Sequence, residues 1–384
     1  MRKKICIGDL GTIITGKTPS KTNKSYYGDY VAFIKPTDIS EDSKFTYETE
    51  EMFSKLAAEK YKNSLVPKGA ICVPCIGTIG TKMTMTHCAC YTNQSINTII
   101  CNENYDNEYV YYLIKNFLPG LKSYNLGTAS GREYVSKSNF EKIEIIAEQD
   151  KCIQVKISTV LSRYDSLIEN YQKQIKLLEE AAQRLYKEWF VDLRFPGHET
   201  TKIVDGVPEG WEIKKVGDLI SKTQRTKQVS ANNYQISGLY PVIDQSRNYI
   251  AGYTDESECV LNVTIPYIVF GDHTRVLKYV PFPFAKGADG TQIIMSNDLE
   301  RMPQSLFYNS LIEIDLSNYS YARHFKYLKE ESILVPSKDI AERYDKVVSQ
   351  YFQNIQKNKE QIRLLNEARD RLLPKLMSGE IKFD

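Results

Sequence analysis

The feature that most constrains this chain is a long apolar seam that occurs twice. Stepping alternately by four and three from Ile157 meets Leu161, Tyr164, Ile168, Tyr171, Ile175, Leu178, Ala182, Leu185 and Trp189, all apolar. Lys, Glu, Gln, Asn and Arg fill most of the gaps, and neither Pro nor Gly interrupts the run. A period of about 3.5 residues is a coiled-coil seam, narrower than the stripe of an ordinary surface helix. Shifted by 187 residues, Gln174-Ile-Lys-Leu-Leu178 returns as Gln361-Ile-Arg-Leu-Leu365, and Arg184-Leu185 as Arg371-Leu372. The second seam reads Tyr344, Val348, Tyr351, Ile355, Asn358, Ile362, Leu365, Arg369, Leu372 and Leu376. Asn358 and Arg369 are polar seam residues of the kind that fix register at some cost in stability. At a rise of 1.5 Å per residue, two matched helices of ~48 Å follow.

The duplication extends beyond the helices, because Gly8-Asp-Leu10 is echoed by Gly217-Asp-Leu219. Residues 1–149 read as a first globular unit, 150–190 as the first long helix and 191–210 as a linker rich in Pro and Gly. Residues 211–338 read as a second globular unit, and 339–384 as the second long helix and a tail. Within the first unit, Tyr30–Ile34, Ala70–Pro74 and Ile96–Ile100 are strand-like, whereas Glu50–Tyr61 and Asn107–Phe117 are expected to be helical. Residues 211–338 are expected to be richer in strands, among them Tyr240–Ile243, Cys259–Val263, Tyr267–Phe270 and Gln292–Met295. The second helix is expected to stop near Leu373, because Pro374 stands where the first copy has Lys187. The fold class is therefore α/β (α+β): two mixed globular units separated by two long helices that pair as an antiparallel coiled coil. Such a pair makes a rigid spacer between two similar heads. Duplex DNA repeats its surface every ~34 Å, so a rod of this length fits two separated half-sites.

With 384 residues and 42% apolar content, the chain can bury more than one core. A net charge of +2 removes overall basicity as an argument, and a nucleic-acid role then needs local patches. One exists: residues 1–35 carry seven Lys or Arg against two Asp. No apolar run approaches a membrane span, which points to a cytoplasmic protein with its eight cysteines as thiols.

Several motifs carry less than their letters promise. Gly11-Thr-Ile-Ile-Thr-Gly-Lys17-Thr18 matches the phosphate-binding loop pattern, but Pro19 disfavours the helix that such a loop must open. The segment makes better sense as a basic, hydroxyl-rich loop touching phosphates. Cys72, Cys75, His87, Cys88 and Cys90 have a zinc-like look, yet their alternation also fits buried strands and the second unit has no counterpart. No nucleophile, base and orienting group stand out together. His273-Thr-Arg275 follows the apolar run Tyr267–Phe270 on a polar turn, either a structural turn or a loop able to hydrogen-bond base edges.

A family resemblance then covers nearly the whole length. The chain resembles the DNA-specificity subunits of type I restriction-modification systems. The matching stretches include Gly16-Lys-Thr-Pro-Ser20, Cys75-Ile-Gly-Thr-Ile-Gly80, Asn93-Gln-Ser-Ile-Asn97 and Ser136-Lys-Ser-Asn-Phe140. Further along come Lys187-Glu-Trp-Phe-Val-Asp-Leu-Arg-Phe-Pro-Gly197, Tyr240-Pro-Val-Ile-Asp244, Gly271-Asp-His-Thr-Arg275 and Leu372-Leu-Pro-Lys-Leu-Met-Ser-Gly-Glu-Ile381.

The resemblance implies two target-recognition domains, each reading one half of a bipartite site, with the paired helices as the ruler. It implies as partners double-stranded DNA, two methyltransferase subunits, and motor-nuclease subunits. S-adenosylmethionine, ATP and magnesium would belong to those partners, leaving this chain non-catalytic and without a cofactor or metal of its own. DNA-contacting candidates are Lys17, Lys21, Lys24, Thr78, Lys82, Ser130 and Arg132 in the first head. In the second they are Arg225, His273, Thr274, Arg275, Lys286 and Asp289, with Arg275 a reader of guanine. The alternative reading is a coiled-coil adaptor with duplicated binding heads and no DNA; a nucleotide hydrolase ranks below it.

Overall fold

The computed structural model describes residues 1–77, 79–125, 133–223, 226–288, 290–319 and 323–383. The chain forms two compact units, Met1–Gln172 with Gln361–Asp384, and Lys173–Glu360.

The first unit opens with β1 (Arg2–Cys6), β2 (Gly11–Thr15), β3 (Tyr27–Ile34), β4 (Glu51–Phe53) and α1 (Lys55–Lys60). It continues with β5 (Ile71–Pro74), β6 (Thr84–Met85), β7 (Tyr91–Thr92), β8 (Ile96–Cys101) and α2 (Asn107–Phe117). After α3 (Lys137–Glu141) and β9 (Glu144–Glu148), the long helix α4 (Lys151–Tyr186) begins. Glu50–Tyr61 is therefore not one helix. Glu51, Met52 and Phe53 pair with Phe33, Ala32 and Val31 of β3, and the helix starts only at Lys55, where the Ser54 hydroxyl caps Ala57 N–H. Ladder hydrogen bonds and the burial of Phe53 outweigh the favourable helix propensity of Glu and Met there. Asn107–Phe117 is helical as read, capped by Asp106, whose carboxylate accepts from Tyr109 N–H at 2.8 Å.

The second unit contains the short hairpin β10 (Ile203–Val204) and β11 (Val207–Pro208), then β12 (Glu212–Lys215), β13 (Tyr240–Ile243), β14 (Gly252–Thr254) and β15 (Val260–Leu261). Next come β16 (Tyr267–Gly271), β17 (Leu277–Val280), β18 (Phe284–Lys286) and β19 (Thr291–Ile294). It closes with α5 (Gln304–Ile312), α6 (His324–Glu330), β20 (Ser332–Val335) and the start of α7 (Lys338–Ser378). Each head has nine strands among the described residues, so the second is not richer in them. The two-residue strands β6 and β7 are too short to leave a period in the sequence.

The two heads repeat one topology. Each begins with a strand paired antiparallel to the last, β1 with β9 and β12 with β20. Each then forms an antiparallel core, β2-β8-β5-β6 in one and β17-β16-β19 in the other. Each also has a second sheet holding one parallel pair, β3 with β7 in β4-β3-β7 (Ile34 opposite Thr92) and β13 with β18 in β14-β13-β18-β15 (Ile243 opposite Lys286). The repeated Gly-Asp-Leu turn has one role in both. Ile7 N–H donates to Ile143 O and Val216 N–H to Glu331 O, at 2.9 and 2.8 Å. A Cβ on Gly8 would lie 3.2 Å from Glu141 O and one on Gly217 would lie 3.1 Å from Lys329 O, so the close backbone approach favours glycine at both turns.

In each unit an end of α4 packs against an end of α7, running antiparallel. In the first, Ile157 and Leu161 share a core with Leu373, Leu376 and Met377, and Asp165 meets Arg369. In the second, Asn358 Nδ2 donates to Gln174 Oε1 at 3.2 Å, and Tyr344 Oη donates to Ala182 O at 3.3 Å. All twenty seam positions are buried or half-buried. Gln154, Ser158, Asp165, Tyr186 and Phe190, off the seam, are buried too, because each helix also packs on its own head. α4 ends in a π-helical turn, Lys187–Val191.

The second helix does not stop at Leu373. α7 runs through Pro374 to Ser378. Leu373, Leu376 and Met377 are all buried. Burying such side chains contributes about 1.5–3 kcal/mol each, and together they offset the ~3 kcal/mol that an interior proline costs. Arg2 also caps the freed end, donating from Nε to Met377 O at 2.9 Å and from Nη2 to Leu376 O at 2.8 Å.

Candidate nucleic-acid interface

In the second head, the turn between β16 and β17 is held from three sides. Asp272 N–H donates to Gly290 O at 2.8 Å. The Asp272 carbonyl accepts from His324 N–H at 2.9 Å, and its carboxylate from Phe325 N–H at 2.8 Å. Gln245 accepts from His273 N–H through Oε1 and from the Thr274 hydroxyl through its carbonyl, at 3.1 and 2.5 Å. Arg275 takes a left-handed φ of 61° and donates from Nη1 to Leu316 O at 3.1 Å. Thr274 and Arg275 are thus engaged with the chain itself, while the imidazole of His273 stays exposed on a fixed turn.

That imidazole opens onto a polar cavity of about 330 Å³, lined also by Gln228, Asp272, Lys286, Gln292 and Arg323. The structure therefore brings His273 and Lys286 together. Three residues that the sequence reading missed, Gln228, Gln292 and Arg323, face the same space. Nothing local marks them; they meet only because segments far apart in sequence fold onto one turn. Beneath the turn, Lys278 is buried and donates from Nζ to Asp244 O and Asn248 O at 2.8 and 2.5 Å. Burial pulls its pKa down to about 8, against the opposing pull of the Asp244 carboxylate. Arg225 and Asp289 lie outside the described residues.

In the first head, the Gly11–Thr18 motif has Gly11–Thr15 as strand β2, and no helix follows Lys17. Lys17 N–H donates to Thr92 O at 3.0 Å, and its side chain is exposed. Lys21 and Lys24 are exposed as well, Lys21 with Glu51 3.9 Å away, and Lys82 is half-buried. The basic excess of residues 1–35 is partly spent locally: Arg2 caps α7, Lys4 pairs with Glu144 at 2.6 Å, and Lys35 with Glu50 at 2.6 Å. Thr78, Ser130 and Arg132 lie outside the described residues.

The cysteine-rich stretch is mostly core. Cys72, Cys75 and Cys90 are buried, and burial pushes the Cys72 and Cys75 thiols up to about 12. Among the described residues no three His, Cys, Asp or Glu are grouped to hold a metal ion, and no helix is long and apolar enough to cross a membrane.

Comparison with known proteins gives a consistent result. The family model for the type I restriction modification DNA specificity domain matches residues 2–180. The chain is 27% identical over 412 aligned positions to the type I restriction enzyme MjaIX specificity subunit of Methanocaldococcus jannaschii, covering 98% of this chain and 93% of that protein. It is 36% identical over 176 positions to the HindI specificity subunit of Haemophilus influenzae, 45% of this chain and 38% of that one. The crystal structure of the type I restriction-modification S subunit from M. genitalium shares the fold with a TM-score of 0.59 at 16% identity, covering 100% of this chain and 97% of that one. Residues 2–180 thus match the DNA specificity domain of type I restriction modification, and along nearly its whole length the chain is similar in sequence to a specificity subunit of such a system.

Proposed function

We propose that each head reads one half of a bipartite duplex sequence, and that the paired helices α4 and α7 set the gap and dock methyltransferase subunits. The observation that carries this reading is the repetition of one strand topology in two heads with different side chains at matching positions. A duplicated frame with divergent loops suits a protein that must present two different sequence readers. The chain's own part is recognition and spacing. Methyl transfer to adenine and ATP-driven cleavage belong to partner subunits, which supply S-adenosylmethionine, ATP and magnesium. Residues 1–149 and 211–338 act as the target-recognition domains in this reading. Lys17, Lys21, Lys24 and Lys82 supply contacts in the first head, and His273 and Lys286 in the second.

The test is to co-express the chain with its neighbouring methyltransferase subunit and map methylated adenines across the host genome. A single two-part motif with a constant gap is the expected result. Removing one heptad from each helix shortens the spacer by about 10 Å, so the gap should shrink by about three base pairs or activity should be lost. An unchanged gap would show that the helices are not the ruler. If the complex assembles and adds no methylation, the heads bind something other than DNA.

A further inference from the structure

We infer that the cavity beneath His273 is the base-reading pocket of the second head, that its ligand is the major-groove edge of a guanine, and that Arg323 is its principal reader. This rests on the DNA-reading role proposed above and adds the base class and the residue.

Four polar groups converge on the cavity without a hydrogen-bond or ion-pair partner among the described residues: the Arg323 guanidinium, the His273 ring, and the amides of Gln228 and Gln292. Lys286 lines the same space. Gln228, His273 and Arg323 are exposed, so water meets them in the free chain and an external polar partner can take its place. The set is dominated by donors. Guanine presents two acceptors, O6 and N7, on its major-groove edge, matching a guanidinium fork. Adenine presents an amino donor there, which would face cations, and a cytosine edge offers a donor as well. A backbone phosphate accepts from Arg, Lys and Gln alike but carries no sequence information, so the base preference of the variants below separates it from a guanine edge. The turn that carries His273 is clamped to Gln245, Gly290 and α6, so the pocket is preorganised. Arg275 is the less suitable reader, since Leu316 O already accepts from its guanidinium.

The first head supplies a built-in control. Lys17 N–H bonds Thr92 O as Val229 N–H bonds Lys286 O, and Val135 N–H bonds Cys75 O as His324 N–H bonds Asp272 O. This register sets Gly16 against Gln228, Ile76 against His273, Thr92 against Lys286, and Tyr134 against Arg323. No cation stands at those four positions of the first head, so the guanine contact belongs to one half-site only.

The experiment maps methylated adenines in cells carrying the methyltransferase complex with the wild-type chain, Arg323→Ala or Arg323→Lys. Arg323 is exposed, so neither change should disturb folding. In both variants one guanine position of one half-site should relax by about tenfold or more, while the other half-site and the gap stay as they were. Lysine keeps the charge and loses the fork, so it should fail as alanine does. Three results overturn the inference: a motif unchanged in Arg323→Ala, a uniform loss of methylation that Arg323→Lys restores, or relaxation at a base other than guanine. A wild-type complex that yields no two-part motif overturns the DNA-reading role itself, and is told apart because the variants are scored against it.

Discussion

The two ends of the helix pair solve one packing problem by opposite means. In the first unit, Asp165 on α4 accepts from Arg369 Nη1 on α7 at 2.6 Å, and from Tyr112 Oη as well, with Asp165 5% and Arg369 7% exposed. The 187-residue repeat sets Phe352 in place of Asp165 and Ala182 in place of Arg369. In the second unit that Phe352 is buried, stacks on Tyr279 with centroids 4.3 Å apart, and packs edge-on to Tyr308. Ala182 is small enough for Tyr344 to reach its carbonyl. One unit thus buries a charge pair where the other buries an aromatic cluster. A buried pair recovers its desolvation cost only when both partners meet, whereas apolar surfaces tolerate small slips. Two helices copied from one another could pair in the wrong combination, and the charge pair forms in only one of them.

The largest effect should come from breaking that pair. Asp165→Ala leaves Arg369 buried without its main partner, and unfolding in urea should show a loss of about 4 kcal/mol. The combined Asp165→Phe and Arg369→Ala change transplants the second unit's solution and should recover most of that loss; if it is no better than the single change, the two residues are not coupled. Phe352→Ala should cost about 3 kcal/mol by opening a cavity beside Tyr279. A cost below ~1 kcal/mol would mean that the aromatic cluster repacks around the gap.

The heads differ as the helix ends do. Replacing both Lys17 and Lys24 by alanine should lower the slope of log affinity against log salt by about two and leave the preferred sequence unchanged. A changed motif would make those lysines base readers. The smallest expected effect is in the pH dependence. Lys278 gives up its proton near pH 8 in the folded chain, and from its ordinary 10.5 only higher when unfolded. The unfolded chain therefore holds more protons between about pH 8 and 10.5, so this group makes stability rise with pH across that window. Lys278→Met should flatten the rise, seen as a shrinking gap in urea midpoints between pH 8 and 10. Parallel profiles would show that Lys278 stays protonated.

The seam was legible because a period of 3.5 is repeated over ten positions and nothing else produces it. What the pattern hid was polar. Asp165 reads as a gap residue, yet it is buried, because Tyr112 and Arg369 satisfy it from two other elements far away in sequence. Pro374 reads as a stop, and only the burial around Leu376 and the Arg2 cap show why the helix outlasts it. In the heads, His273 and Lys286 were visible as polar letters after apolar runs. Arg323 was not, since its place depends on α6 folding back against Asp272.

The pairing of β1 with β9, and of β12 with β20, gives each head a two-stranded stem through which the chain enters and leaves side by side. Whatever is strung between the stem strands can be longer, shorter or of another sequence without moving its own exits. The first head already holds a longer insert than the second on the same kind of stem. A head is in this sense a replaceable cassette: on the half-site reading proposed above, exchanging everything beyond one stem should change one half of the recognised sequence and leave the other half as it was.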